Sequence, residues 1–119
     1  MGNGDMHIKN WSLIYPGNGR MPALSPIYDM LSIVPYIPAR RLALSLGSER
    51  TFRALTPARW KAFANRARLP EQAVLKAAAE TVNRIDKRWW TLPEYTIVPP
   101  MALERIDAHV QPMISVILG

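Results

Sequence analysis

The spacing of apolar residues changes near residue 56. Before it, short apolar runs are broken by glycine and proline; after it, apolar residues recur every three or four positions. Trp11-Ser12-Leu13-Ile14-Tyr15 has strand length and β-prone residues, and Pro16-Gly17-Asn18-Gly19 follows it. Asn-Gly tolerates positive φ at both positions, so the pattern predicts a hairpin with a return strand over about residues 20–24, closed by Ser25-Pro26. Such a hairpin folds Asn10 back towards the segment holding Asp29. Pro35, Pro38 and Gly47 then interrupt the chain, and residues 30–48 read as a mostly irregular connection with a short strand at 42–46.

The second zone opens at Thr56-Pro57, a side-chain oxygen followed by proline where a first helical turn needs no N–H. Trp60, Phe63, Ala64 and Ala67 form one apolar stripe of a first helix. Leu69-Pro70 restarts a second helix of about 20 residues, striped by Val74, Ala78, Val82, Ile85 and Trp89 and ending before Pro93. Trp89 is in phase with that stripe and is expected in the core. A third helix is expected from about Pro100 to Val110, with Pro112 ending or kinking it. The fold class is therefore mainly α with a small β-hairpin, in one domain over residues 1–119: a hairpin part at 1–56 and a helical part at 57–119.

Composition narrows the class. At 119 residues and 49% apolar content the chain can bury roughly two-thirds of its unfolded surface, and it is too apolar for disorder. With no cysteine, disulfides and thiolate metal sites are excluded. No run nears the ~18 apolar residues of a membrane span, and the start lacks the basic-then-apolar order of a signal peptide, so a cytoplasmic location is expected. Of the net charge of +6, residues 40–90 hold 12 basic and 4 acidic side chains, while the remainder is net acidic. Such a block suits a solvated helical surface, or a grip on nucleic acid or an acidic protein.

The chemistry concentrates in Asn3-Gly4-Asp5-Met6-His7-Ile8-Lys9-Asn10. An Asp followed five residues later by an Asn, leading into a hairpin, has the spacing of a kinase catalytic loop. Phosphoryl transfer needs a carboxylate to orient the attacking hydroxyl and accept its proton, a neutral oxygen ligand for Mg²⁺, and a second carboxylate on the metal. Asp5 suits the base, Asn10 the neutral ligand and Asp29 the second carboxylate; Lys9 or His7 could balance phosphate charge. The same residues also suit simpler roles. Asp and Asn are frequent turn residues, His7 can be a structural hydrogen-bonding group, and Asp29 can cap a helical turn at 30–32.

Asn3-Gly4-Asp5-Met6-His7-Ile8-Lys9-Asn10-Trp11-Ser12 resembles the N-x-D-x-H-x-K-N-x-S signature of the HipA toxin family of bacterial serine/threonine kinases. Leu24-Ser25-Pro26-Ile27-Tyr28-Asp29-Met30 is similar to that family's P-x-Y-D segment. Residues 42–47, and the helix opening at Leu55-Thr56 with Trp60, resemble its next blocks. The resemblance implies the C-terminal helical lobe of a protein-kinase-like fold, with Asp5 as catalytic base, His7 and Lys9 in the catalytic loop, and Asn10 and Asp29 as Mg²⁺ ligands through which ATP phosphates are held. It further implies protein substrates of the translation machinery and a helix-turn-helix antitoxin as partner.

One departure is large. No G-x-G-x-x-G occurs, and no apolar strand carries a lysine ahead of Asp5. The expectation is a kinase subdomain without its N-terminal ATP-binding lobe, inactive alone and completed by a separately encoded chain or reduced to a remnant without activity. Apolar residues normally covered by that lobe, such as Trp11, Ile14 and Tyr28, should then favour self-association. The competing expectation is a non-catalytic basic helical module that binds nucleic acid or a protein.

Overall fold

A computed structural model describes residues 2–38 and 41–119; Arg40, first of the basic block, lies outside them. Two small antiparallel hairpins precede three α-helices among the described residues. In the first hairpin, β1 (Leu13–Ile14) pairs with β2 (Ala23–Leu24), Leu13 opposite Leu24 and Ile14 opposite Ala23. The strands are shorter than the β-prone run suggests, because all residues from Trp11 to Leu24 are exposed and no buried face extends the ladder. Its tip is not an Asn-Gly turn. Positive φ falls on Gly17 and Gly19, with Asn18 outside that region, and the Gly19 N–H reaches the Pro16 carbonyl at 3.4 Å. Positive φ at the first central residue alone is the pattern of a type II′ turn, and here glycine provides it.

The short strand expected at 42–46 is present, and it belongs to a second hairpin that the sequence pattern does not predict. Strand β3 (Arg41–Leu46) pairs with β4 (Glu49–Thr51) through a two-residue turn, Gly47 and Ser48 at φ 57° and 68°. Two successive positive φ values define the primed turn that suits strand twist. Gly47 has a second constraint: a Cβ there would overlap the Arg59 carbonyl oxygen of the first helix. The hairpin thus docks its turn directly on backbone.

Helices α1 (Pro57–Arg66) and α2 (Glu71–Arg88) begin where the sequence places them. Helix α1 ends with Arg68 in the left-handed region (φ 54°), and the Leu69 N–H returns to the Ala64 carbonyl at 2.8 Å. This is the Schellman closure, made here without the usual glycine. The helix α3 spans Pro100–Leu118, so Pro112 does not end it. An interior proline costs about 3 kcal/mol, but Met113 is buried just beyond it against Phe52 and Leu55, with Leu42, Leu46, Val116 and Ile117 around them. Burying such side chains returns roughly 1.5–3 kcal/mol each, which offsets the proline.

Trp89 is also placed differently. It is half-buried, and its indole N–H donates to Asp107 Oδ1 at 2.9 Å while the Tyr95 hydroxyl donates to Oδ2 at 2.6 Å. Trp89 and Tyr95 meet edge to face at 5.7 Å. The pair clamps the 89–97 linker onto α3 through a carboxylate, rather than filling the apolar core. That carboxylate acceptor raises the Tyr95 hydroxyl above its ordinary pKa.

Candidate functional site

Each arm of the first hairpin extends into a loop, and side chains carry on where the ladder stops. The Ser25 N–H reaches the Ser12 carbonyl at 2.9 Å, the last backbone rung. Beyond it, the Tyr28 hydroxyl donates to the Lys9 carbonyl at 3.0 Å and lies 2.7 Å from Ser12 Oγ. With the phenolic proton so used, the Ser12 hydroxyl is the donor to Tyr28. Next comes Asn10, the buried polar residue of the segment, whose Nδ2 donates to Asp29 Oδ2 at 2.8 Å. Residues 19 apart in sequence are thereby joined at one point.

Asn10 is fixed from both ends. A 3₁₀ turn (Ile8–Asn10) precedes Trp11, and the Asn10 Oδ1 accepts the His7 N–H at 2.9 Å. Asp29 sits at φ 55°, a left-handed conformation that Asp tolerates better than most residues. No helical turn follows over 30–32, so Asp29 is not a helix cap. Its Oδ1 has no hydrogen-bond partner among the described residues, and the Asn10 amide oxygen keeps a second lone pair.

Asp5 lies upstream of this turn on the same segment. Its N–H is held by Asn3 Oδ1 at 3.1 Å, and its exposed carboxylate has neither hydrogen bond nor ion pair among the described residues. Asp5 is therefore bonded to neither Asn10 nor Asp29. The Lys9 side chain is exposed and unpaired in the same sense, its carbonyl serving Tyr28. The ring of His7 is half-buried with Nδ1 lacking a partner, as are Asn3 Nδ2 and Ser32 Oγ. Unsatisfied polar atoms are uncommon in folded proteins, and two of them on this segment leave hydrogen-bonding capacity for a further group.

The donor set fits a hard cation in part. Asn10 and Asp29 each carry an oxygen of the kind Mg²⁺ takes while filling its shell with water and phosphate oxygens, although the Asn10 atom that meets Asp29 here is Nδ2 and its Oδ1 accepts from His7. No cluster of three His, Asp or Glu residues occurs among the described residues, so a metal held by protein carboxylates alone is not what the segment offers. Two residues the role assignment omits, Ser12 and Tyr28, form the link that fixes the arms. Both stand inside the two quoted sequence motifs, which was the available signal.

A family model for the HipA-like C-terminal domain matches residues 1–89. The chain belongs to this family. It is 41% identical over 110 residues to "Putative kinase Y4dM" of Sinorhizobium fredii, covering 92% of this chain and 27% of the relative. A "Putative kinase" of Haemophilus influenzae is 53% identical over 36 residues, 30% of this chain and 10% of its own. "Putative kinase Y4mE" of Sinorhizobium fredii is 35% identical over 68 residues, 56% of this chain and 16% of the relative. The HipA-like chain thus spans about a quarter of the length of Y4dM. No solved structure matches it. Among the described residues, no helix is long and apolar enough to cross a membrane.

Proposed function

We propose that this HipA-like domain supplies the proton-accepting and metal-holding part of an ATP-dependent serine/threonine protein kinase. The bond between Asn10 and Asp29 across the first hairpin carries this reading, because it joins an amide and a carboxylate of the required kinds, and Asp5 precedes Asn10 on the same segment with its carboxylate unpartnered among the described residues. Asp5 Oδ accepts the proton of the substrate hydroxyl as that oxygen attacks the terminal phosphorus of ATP, whose bond to the bridging oxygen breaks and releases ADP. Asn10 Oδ1 and Asp29 Oδ1 would hold Mg²⁺, which when bound neutralises charge on the ATP phosphates. Lys9 and His7 stand on the same segment to offset charge on the transferred group. Tyr28 and Ser12 keep the arms together, so that the metal ligands need not be reorganised when nucleotide arrives.

Transfer also requires groups that cover the phosphates and pair with them, and these belong to a nucleotide-binding lobe in the same polypeptide or in a separate one. Positioning and electrostatics supply nearly all phosphoryl-transfer catalysis, so the 119 residues alone are expected to be inactive. The proposed substrates are protein hydroxyls of the translation machinery, and the proposed inhibitor is a helix-turn-helix antitoxin.

The test is reconstitution of the chain with a HipA-like N-terminal lobe, ATP, Mg²⁺ and a candidate protein substrate. Phosphate incorporation should appear only in the mixture and fall at least 100-fold with Asp5→Asn or Asp29→Asn. Activity that survives Asp5→Asn would refute the assignment.

One observation favours a second reading, a nucleic-acid grip. Every described basic side chain from Arg41 to Arg88 is exposed. Binding to a DNA or RNA duplex would then weaken steeply with salt, by roughly one counterion per phosphate contacted. A titration at low salt with no binding removes this reading.

A further inference from the structure

A cavity of about 570 Å³ opens between α3 and the 3₁₀ turn Phe52–Ala54 that follows β4. Its lining includes Arg53 from the turn, Arg105 and His109 from α3, Thr51, and the apolar side chains of Val34 and Phe52. Arg105 and His109 are four residues apart and share one helix face. No carboxylate lines the cavity among the described residues. The nearby Glu49 is occupied elsewhere, its Oε1 accepting the N–H groups of Arg50 and Thr51 at 2.8 and 2.7 Å. The only ion pair among the described residues, Lys76–Glu80, also lies elsewhere. Arg53 and Arg105 thus line one space together, with no carboxylate in its described lining.

Arg105 and His109 are held in place. Arg105 Nη1 donates to the Pro35 carbonyl, which fixes the guanidinium plane and leaves its other N–H groups free to bind. His109 stands edge-on to Phe52 with ring centroids 5.0 Å apart. Burial chiefly holds His109 below its ordinary pKa, and the Arg53 charge adds to that shift. Phe52 and Val34 supply apolar walls. The volume falls in the range that takes a small ligand rather than a single ion. The absence of carboxylates in the described lining argues against a metal-bridged triphosphate and for an anion bound directly by cations.

We propose that this cavity is a binding site for a phosphate monoester with a flat apolar body, the chemistry of a nucleoside monophosphate. The phosphate takes the fork of Arg105 together with Arg53, and His109 donates once an anion stands beside it. The base lies against Phe52 and Val34. The site is independent of the Asp5–Asn10–Asp29 segment and of any kinase activity.

The test uses the full chain in EDTA at low salt, so that no metal-dependent site contributes. Adenosine 5′-monophosphate, inorganic phosphate and adenosine are titrated separately, followed by calorimetry and by the His109 ring proton resonances. The monophosphate should saturate, inorganic phosphate should bind at least tenfold more weakly, and adenosine should not bind. The His109 resonances should move with the monophosphate, and their titration midpoint should rise. Arg53→Gln should weaken the monophosphate at least tenfold without changing Tm, whereas Asp29→Asn should leave its affinity unchanged. No monophosphate binding at millimolar concentration, equal binding of adenosine, an unmoved His109 resonance or unchanged affinity in Arg53→Gln would each overturn the proposal. If Arg53→Gln fails to fold, the His109 resonance in the unaltered chain still decides. Stronger binding by inorganic phosphate than by the nucleotide would identify an adventitious ion only, and would also overturn it.

Discussion

Asn10 does the most with the fewest atoms. Its buried amide holds the His7 backbone on one side and Asp29 on the other. Asn10→Ala leaves both partners without their bonds, and the expected loss is about 1–3 kcal/mol of unfolding free energy in a urea titration. Asp29→Asn keeps a residue that tolerates left-handed backbone and should cost less than half as much in the same titration. A second residue-scale effect concerns pH. His109 is held below its ordinary value of 6.5, chiefly by burial, so as pH falls the unfolded chain takes up this proton before the folded one. The contribution is therefore intact above about pH 6.5 and is lost as pH falls through the lower folded value. Urea midpoints at pH 7.5 and 5.0 should differ less in His109→Gln than in the unaltered chain.

At the scale of elements, Pro112 offers the sharpest test. The proline removes a backbone hydrogen bond from a helix that continues six residues past it. Pro112→Ala restores the bond at the expense of a looser unfolded chain, and a net gain of about 1–2 kcal/mol is expected by urea or thermal unfolding. Proline's local preference was legible in the sequence; the packing of Met113, Val116 and Ile117 that overrides it was not, because it depends on Phe52 and Leu55 from 58 or more residues away. The same division holds elsewhere. Thr56-Pro57 and Leu69-Pro70 mark the helix starts because their signals are local. The second hairpin is not legible from strand propensity because its return strand, Glu49–Thr51, is three polar residues, even though Gly-Ser is a recognised turn pair; contact with Arg59 helps fix that turn. Trp89 kept the helical phase, but Asp107 supplies a polar partner that periodicity does not register. In the candidate site, spacing and motif indicated that Asn10 and Asp29 meet. Spacing could not indicate that Tyr28 ties the arms through Lys9 and Ser12, since that depends on where the ladder stops.

Across the whole molecule the hydrophobic load is lopsided. Helix α3, the second hairpin and the turn after it share a core, while the first hairpin and its flanks leave large apolar side chains in water: Trp11 is 45% exposed, Ile14 46%, Met21 78% and Tyr36 79%. Exposed apolar side chains in this number favour association between copies. Sedimentation velocity should show a concentration-dependent shift to faster species. The double substitution Leu13→Ser and Ile14→Ser should suppress it while changing Tm by less than about 2 °C, since neither side chain is buried.

The type II′ tip of the first hairpin has a practical use. Pairing and the bonds beyond it pin the two ends of the eight residues between Ile14 and Ala23, and every residue of that stretch faces solvent. Its length is thereby decoupled from the geometry of the two motifs. An epitope or a fluorescent dye grafted at Asn18 rides on the molecule as a flag on a mast, reporting on tumbling and docking while leaving the base of the mast undisturbed.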